Sequence, residues 1–360
     1  MKIVFLLPGL PARVGGFKVC YMLANQLSDH GNEVLINHSA LIWPHIKKRN
    51  KMSLTLIFLY NFLRVKLFLK DLSWVNLNKN IIFKYNITLN RSFFKKNNYD
   101  YLVVTSWGTA TEINKLNLSK KKIIYLIQDF PPFMGSESDI YETWKYGFKN
   151  IVVSEYLKSM VEKVSNVKPS LVNPGIDHEK FYSFKNILSR DPFKIGFFFS
   201  KGSYKDYQTA YNVFYKLTKI DSRFKIIMYG KDKPSKLHNQ IKWIGKITEK
   251  ELLEFYNDIS IFVSTSIMEG FCAPILEAMA CGSVPVCTDN FGNRDYIRNE
   301  KNCLLVEKKN EDQLVEKILK LVKDQHLIKF LSENAIKTSK NFNWVKSYQN
   351  FQNVIKNDCL

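Results

Sequence analysis

Over most of the chain, short apolar runs alternate with stretches in which apolar residues recur every three or four positions. The first pattern predicts buried β-strands and the second predicts amphipathic helices. In the first half, strands are expected at Lys2–Leu7, Glu33–Asn37, Tyr101–Thr105, Lys122–Ile127 and Asn150–Ser154, with helices at Phe17–His30 and Ser154–Lys163. The segment Leu171–Asp191 contains Pro174 and Gly175, lacks periodicity, and reads as a domain linker. The alternation restarts with strand Lys194–Phe199, helix Asp206–Lys219, strand Lys225–Tyr229, strand Ile241–Ile244 and helix Glu249–Asp258. Strand Ile259–Val263, helix Pro274–Cys281 and strand Val284–Cys287 follow, and helices at Asn310–Lys323, Asp324–Lys340 and Val345–Lys356 close the chain. Strands separated by helices belong to the α/β class with parallel sheets, here as two Rossmann-like domains with a cleft between them.

Two apolar segments need separate treatment. Met1–Leu7 briefly resembles a signal peptide, but the run is short, stops at Pro8-Gly9 and is followed by no A-x-A site. A first buried strand explains it better. Leu54–Leu69 is strongly apolar yet carries Arg64 and Lys66, so it does not span a membrane. It lies either on a membrane surface or in the core as an amphipathic helix.

Composition narrows the class. With 360 residues, 46% hydrophobic and 14% aromatic, the chain is long and apolar enough for two cores and is not disordered. Six cysteines at irregular spacing, with no CxxC pair, exclude a disulfide scaffold and a structural zinc site. Reduced core thiols of a cytoplasmic protein are expected instead. The six histidines form no metal-ligand spacing, and no metal is assigned. The net charge of +20 asks for a polyanion: nucleic acid, a phosphate-bearing ligand or an anionic membrane. No RRM, helix-turn-helix or zinc-finger pattern is present, which disfavours nucleic acid.

Two motifs carry candidate chemistry. The turn Pro8–Gly16 joins the first strand to the first helix, where ligands bind in doubly wound sheets. Gly15 and Gly16 let the backbone approach a ligand and open a helix N-terminus. Their spacing is not G-x-G-x-x-G, which argues against a nicotinamide enzyme. The second motif is Glu269-Gly270-Phe271-Cys272-Ala273, followed by Pro274, placed to open a helix, and Gly282, placed to stop it. Glu269 falls on the loop and Glu277 about one turn into the helix. The amides of Gly270, Phe271, Cys272 and Ala273 suit a diphosphate, and the two carboxylates suit sugar hydroxyls. Together they suggest a nucleotide sugar, with Glu269 on the hexose and Glu277 on the ribose.

Glu269-x7-Glu277, in the setting EGFCAPILEAMACGSVPV, resembles the signature of the retaining GT-B glycosyltransferases of family 4, also called glycosyl transferases group 1. GGFKVCYMLANQLSDHGNEVLI, VSEYLKSMVEKV, NPGIDHEKFY, IKWIGKITEKELLEFYNDISIFVSTS and NFNWVKSYQNF resemble other parts of that family in the same order. The resemblance implies an acceptor-binding domain at residues 1–175, a nucleotide-sugar-binding domain at 176–343 and a last helix, 344–360, that crosses back to the first domain. Its usual Arg-then-Lys pair resembles Lys201 and Lys205, with Lys201 in place of the arginine. These lysines would stabilise the departing diphosphate without metal, and the sequence has no Asp-x-Asp motif. No cofactor beyond the nucleotide-diphosphate sugar co-substrate is implied.

Where many relatives place a cleft histidine, this chain has Gln128-Asp129, similar to a variant in a subset that includes some rhamnosyltransferases. Gln128 or Asp129 either binds acceptor or transferred sugar, or Asp129 merely caps the turn before Pro131-Pro132. Trp107, after the strand Tyr101–Thr105, either stacks on a sugar or belongs to the core. Between Leu41 and Gln128 there are 16 Lys and Arg against three acids, a net +13. That surplus, in the expected acceptor domain, predicts peripheral attachment to the inner face of an anionic membrane and a saccharide or lipid-linked acceptor. Alternatives are a nucleic-acid-binding protein, an epimerase or phosphorylase of the same architecture, and a catalytically inactive GT-B scaffold.

Overall fold

The computed structural model describes residues 1–39, 56, 60, 63, 74–86, 93–94, 98–129, 136–235 and 237–356. Two compact units result. The first comprises Met1–Pro174 together with Trp344–Leu360, and the second comprises Gly175–Asn343.

In the first unit, β1 (Lys2–Pro8) is buried from Ile3 to Leu7 and pairs in parallel with β2 (Glu33–Ser39) on one side and β4 (Tyr101–Val104) on the other. Near-continuous apolar strands are what a sheet covered on both faces requires. With β3 (Ile82–Asn86), β5 (Ile123–Ile127), β6 (Lys149–Val152) and β7 (Ser170–Leu171), the described residues form a parallel sheet ordered β3-β2-β1-β4-β5-β6-β7. Chain direction across the sheet reverses between β1 and β4, where a doubly wound fold binds ligands. Helices α1 (Gly15–Asp29), α2 (Trp107–Asn114), α3 (Glu137–Trp144) and α4 (Glu155–Ser165) make the crossovers. Ser154, expected as the end of a strand and the start of a helix, is the N-cap of α4 and accepts from the Leu157 amide at 3.4 Å.

The second unit repeats the plan with β8 (Lys194–Phe199), β9 (Lys225–Gly230), β10 (Ile241–Trp243), β11 (Ile261–Ser264), β12 (Val284–Thr288) and β13 (Leu304–Val306). Their order is β10-β9-β8-β11-β12-β13, all parallel, with the reversal between β8 and β11. The helices are α5 (Tyr207–Ile220), α6 (Glu249–Asp258), α7 (Ala273–Ala280), α8 (Glu311–Lys323) and α9 (Gln325–Ser339). The expected fold class, two parallel-sheet Rossmann-like domains, is therefore present.

After Asn343 the chain rejoins the first unit as α10 (Trp344–Lys356), which packs on α1. Phe351 stacks on Phe5 at 6.4 Å, Tyr348 on His30 at 4.0 Å, and Ser347 Oγ donates to the Asn173 carbonyl at 2.6 Å.

Some sequence expectations require correction. β3, α2, α3, β7 and β13 were not expected from periodicity, because each is short or lies at a sheet edge. α7 begins at Ala273, so Pro274 is its second residue and not its first. The expected linker Leu171–Asp191 is no linker over most of its length: residues 175–191 belong to the second unit. Arg190, only 4% exposed, anchors that stretch by donating to the carbonyls of Lys185, Tyr256, Ile259 and Cys281 at 2.7–3.1 Å. The apolar segment Leu54–Leu69 lies outside the described residues except at Leu56, Tyr60 and Leu63, which are helical and exposed. No helix among the described residues is long and apolar enough to cross a membrane.

Candidate functional site

In the second unit the loops that follow β8 and β11 meet at the reversal point of the sheet. Thr265 Oγ1 lies 3.0 and 2.8 Å from the carbonyls of Lys205 and Asp206 and donates to them. The Ile267 amide donates to the Tyr204 carbonyl at 2.7 Å. These bonds bring Lys205 to Glu269, and the two form an ion pair with side chains 12% and 11% exposed. Burial disfavours the Lys205 ammonium, but the Glu269 carboxylate outweighs that penalty and holds it above its ordinary pKa. Lys205 therefore stays charged under the rings of Phe198 and Tyr204, 5.4 and 5.3 Å from their centroids.

Lys201 is placed differently. Its side chain is 70% exposed and reaches Asp232 only at 4.0 Å. Sequence reasoning treated the two lysines as a pair, whereas one is a buried partner of Glu269 and the other a solvated cation.

Two further elements hold the Glu269 loop. The Glu269 amide donates to the Asn290 carbonyl at 3.0 Å, in a parallel bridge between Glu269 and Phe291. Tyr296 Oη donates to the carbonyls of Phe271 and Cys272 at 3.0 and 2.7 Å. Cys272 takes a left-handed conformation, φ 62°, turning the chain into α7, whose N-terminus has no side-chain cap. Burial, reinforced by Glu269, pushes the Cys272 thiol up to about 12, so it remains a neutral packing group. A buried backbone turn opening an uncapped helix beside a cation can accept the oxygens of a phosphate ester.

Glu277, the fifth residue of α7, is 6% exposed. The structure thus brings Lys205, Glu269, Gly270, Phe271, Cys272, Ala273 and Glu277 onto the loops and helix of one sheet reversal. Tyr229, Tyr256, Asn290, Gly292 and Tyr296, which surround them, were missed because they lie in ordinary apolar or turn sequence with no spacing signal.

The first-unit candidates occupy the corresponding reversal of their own sheet. Gly15 and Gly16 open α1, which has Val14 at its N-cap and no side-chain cap. Trp107 is half-buried at the first position of α2, and a capping box orients it: Ser106 Oγ accepts from the Thr109 amide, and Thr109 Oγ1 from the Ser106 amide, at 3.2 and 3.0 Å. Gln128 follows β5 and turns inward. Its Nε2 donates to Cys20 Sγ at 3.4 Å, and its amide stands 3.5 Å from where a Cβ on Gly16 would sit. Its Oε1 is buried without a hydrogen-bond partner among the described residues. Asp129 is exposed, and the turn at Pro131-Pro132 that it was expected to cap lies outside the described residues. His38, which sequence reasoning assigned no role, bonds the Gly9 carbonyl through Nδ1 at 3.0 Å and thereby ties the glycine turn to β2.

Residues 179–338, all within the second unit, match the family described as Glycosyl transferases group 1, so that unit carries a domain of this kind. An uncharacterized glycosyltransferase of Methanocaldococcus jannaschii is 28% identical over 214 residues, covering 57% of this chain and 58% of the relative's length. The N,N'-diacetylbacillosaminyl-diphospho-undecaprenol alpha-1,3-N-acetylgalactosaminyltransferase of Campylobacter jejuni is 38% identical over 85 residues, 24% of this chain and 23% of that protein. Among solved structures, HepE of Anabaena in complex with UDP superimposes with a TM-score of 0.76 at 14% identity, covering 99% of this chain and 100% of that one. That likeness shows the fold, the two Rossmann-like domains of the GT-B architecture.

Proposed function

We propose that this protein is a retaining, metal-independent glycosyltransferase. It moves a hexose from a nucleotide-diphosphate sugar to a saccharide or lipid-linked acceptor, in the synthesis of a surface polysaccharide or glycoconjugate. The observation that carries this reading is the buried Lys205–Glu269 pair at the sheet reversal, inside the segment that matches the glycosyl transferases group 1. HepE, a structural neighbour, binds UDP, which supports a nucleotide donor. The Campylobacter relative is named for a diphospho-undecaprenol compound, which supports a lipid-linked acceptor.

In this mechanism the Glu269 carboxylate accepts hydrogen bonds from the hexose hydroxyls and fixes the anomeric carbon. Glu277 accepts from the ribose. The loop from Gly270 to Ala273 and the start of α7 receive the diphosphate. Lys205 and Lys201 stabilise the negative charge that builds on the diphosphate as the bond from the anomeric carbon to phosphate breaks. The acceptor oxygen joins the same face, and its proton passes to the departing phosphate oxygen. Positioning and charge stabilisation then suffice without a strong protein base. Gln128, Asp129 and Trp107 face the acceptor or the transferred sugar.

Attachment to an anionic membrane surface belongs to the same reading. The net +13 between Leu41 and Gln128 supports it, as do Leu56, Tyr60 and Leu63, exposed at a spacing that puts them on one helical face. Flotation with anionic liposomes checks it; no binding at low salt removes the membrane from the proposal. The activity is tested by incubating the protein with a panel of nucleotide sugars and saccharide or polyprenyl-diphosphate acceptors. Nucleoside diphosphate release that depends on acceptor, with an axial or equatorial product bond matching the donor by NMR, is expected. Acceptor-independent release, or inversion, contradicts it.

A further inference from the structure

On one face of the second sheet, α5 and α8 pack side by side. They follow the parallel strands β8 and β13, so they run in the same direction. Asn212 Nδ2 donates to Glu311 Oε1 at 2.6 Å, and Lys216 Nζ pairs with Glu311 and Asp312 at 3.1 and 2.8 Å, which fastens α5 to the start of α8. The core takes Val213, Phe214 and Leu217 from α5 and Leu314, Ile318 and Leu321 from α8. A surface helix ordinarily has one such apolar stripe. Here a second stripe, Tyr215 and Ile220 on α5 with Val315 and Leu319 on α8, lines a groove of about 610 Å³ between the helices. Tyr215 and Ile220 are 43% and 57% exposed. The Tyr215 ring is held in place, with His238 edge-on at 5.2 Å and the Lys219 ammonium 5.6 Å from its centroid.

The charges that line this groove are segregated. Lys216 and Lys219 stand on α5, Asp312 and Glu316 on α8. Lys219 makes no ion pair among the described residues, and the exposed Glu316 meets only the adjacent Lys317, at 3.7 Å. Two cations against two acids cancel, so the face suits neither a polyanion nor an anionic membrane. A face that is neutral overall but divided into a basic and an acidic half is complementary to its own two-fold image.

We propose that this groove is a contact surface for a second copy of the chain, with α5 of each copy lying on α8 of the other about a two-fold axis that runs along the groove. Such an axis preserves height along the helices, so Lys219 of one copy faces Glu316 of the other, and Ile220 enters the apolar floor beside Leu319. An axis across the helices would set α5 on α5 and lysine against lysine. Helices of 14 and 13 residues are each about 20 Å long, and side by side they present a face of roughly 400 Å². Standard interfaces use about 800 Å² per partner, so this dimer is weak and concentration-dependent, with a Kd of roughly 10–100 µM.

Sedimentation equilibrium of the full chain from about 5 to 300 µM tests this. Wild type should self-associate in that range, and less tightly when salt rises from about 0.05 to 0.5 M. Lys219→Glu and Glu316→Lys should each raise the Kd at least about tenfold, because each sets two like-charged pairs across the axis. The double variant, Lys219→Glu with Glu316→Lys, should return to within about threefold of wild type, since the charges are exchanged and not removed. Both side chains are exposed, and recovery in the double variant is a readout that damage to the fold would not produce. A wild type that stays monomeric throughout overturns the inference; flotation with anionic vesicles that Ile220→Asp abolishes would then assign the face to a membrane. A dimer that neither charge reversal weakens is built on another surface and overturns it too, as does a double variant no better than the single ones.

Discussion

The main-chain amide of Glu269 donates to the carbonyl of Asn290 at 3.0 Å, so the loop after β12 carries the loop that holds the proposed sugar ligand. The same carbonyl also accepts from the Gly292 amide at 2.9 Å, which forces Phe291 between them into φ +68° and ψ −51°. That is a tight three-residue turn of a kind rarely adopted by a residue with a side chain.

Gly292 permits this approach. A Cβ there would lie 2.5 Å from the Glu269 carbonyl oxygen and 2.6 Å from the Phe271 nitrogen. Gly292→Ala should therefore displace the Glu269 loop. Transfer is expected to fall at least 100-fold, since ångström-scale misplacement costs about that much. Activity within threefold of wild type would show that the loop tolerates the shift.

Lys205 and Glu269 should respond differently in stability and in activity. Removing one partner leaves the other charge buried and alone, so Lys205→Met and Glu269→Gln should each destabilise the protein by roughly 3 kcal/mol. The double variant should recover most of that stability in urea titrations, because neither charge remains. Transfer should be lost in all three, and Glu269→Ala should abolish it with the fold intact. A double variant that regains activity along with stability would remove the pair from the chemistry.

Arg190 is a matter of folding. Arg190→Met deprives three buried carbonyls and the half-buried Lys185 carbonyl of a donor at once, and a loss of at least about 3 kcal/mol is expected. Differential scanning calorimetry reads it directly. A change below about 1 kcal/mol would mean that water replaces the guanidinium.

His38 gives a pH dependence with a defined sign. Nδ1 donates to the Gly9 carbonyl, Nε2 accepts from Tyr21 Oη at 2.7 Å, and burial pushes the imidazole down to about 4. The unfolded chain takes up this proton near pH 6.5, while the native protein does so only near pH 4. The unfolded state thus binds more protons across that window, and the His38 contribution to stability is lost as pH falls through it, by roughly 3 kcal/mol in total. Because His38→Gln lacks this titration, its stability deficit relative to wild type should shrink by about that amount between pH 7 and pH 4. A deficit independent of pH would mean that the imidazole takes up its proton at the same pH in the native and the unfolded chain.

Much of the plan was legible in the sequence because it is local. Apolar runs and helical periodicity located most strands and helices to within about two residues, and Glu269, Gly270 and Gly282 marked the loop and the end of α7. Those signals reside in a dozen consecutive residues. What the tertiary structure decided is which distant positions meet: Lys205 with Glu269, 64 residues apart, Tyr256 with Glu277, 21 apart, and Arg190 with the Cys281 carbonyl, 91 apart. Periodicity shows that a strand is buried and leaves open which strand lies beside it. The order β10-β9-β8-β11-β12-β13 brings the ends of β8 and β11 together, and with them the charge pair and the turn at Phe291.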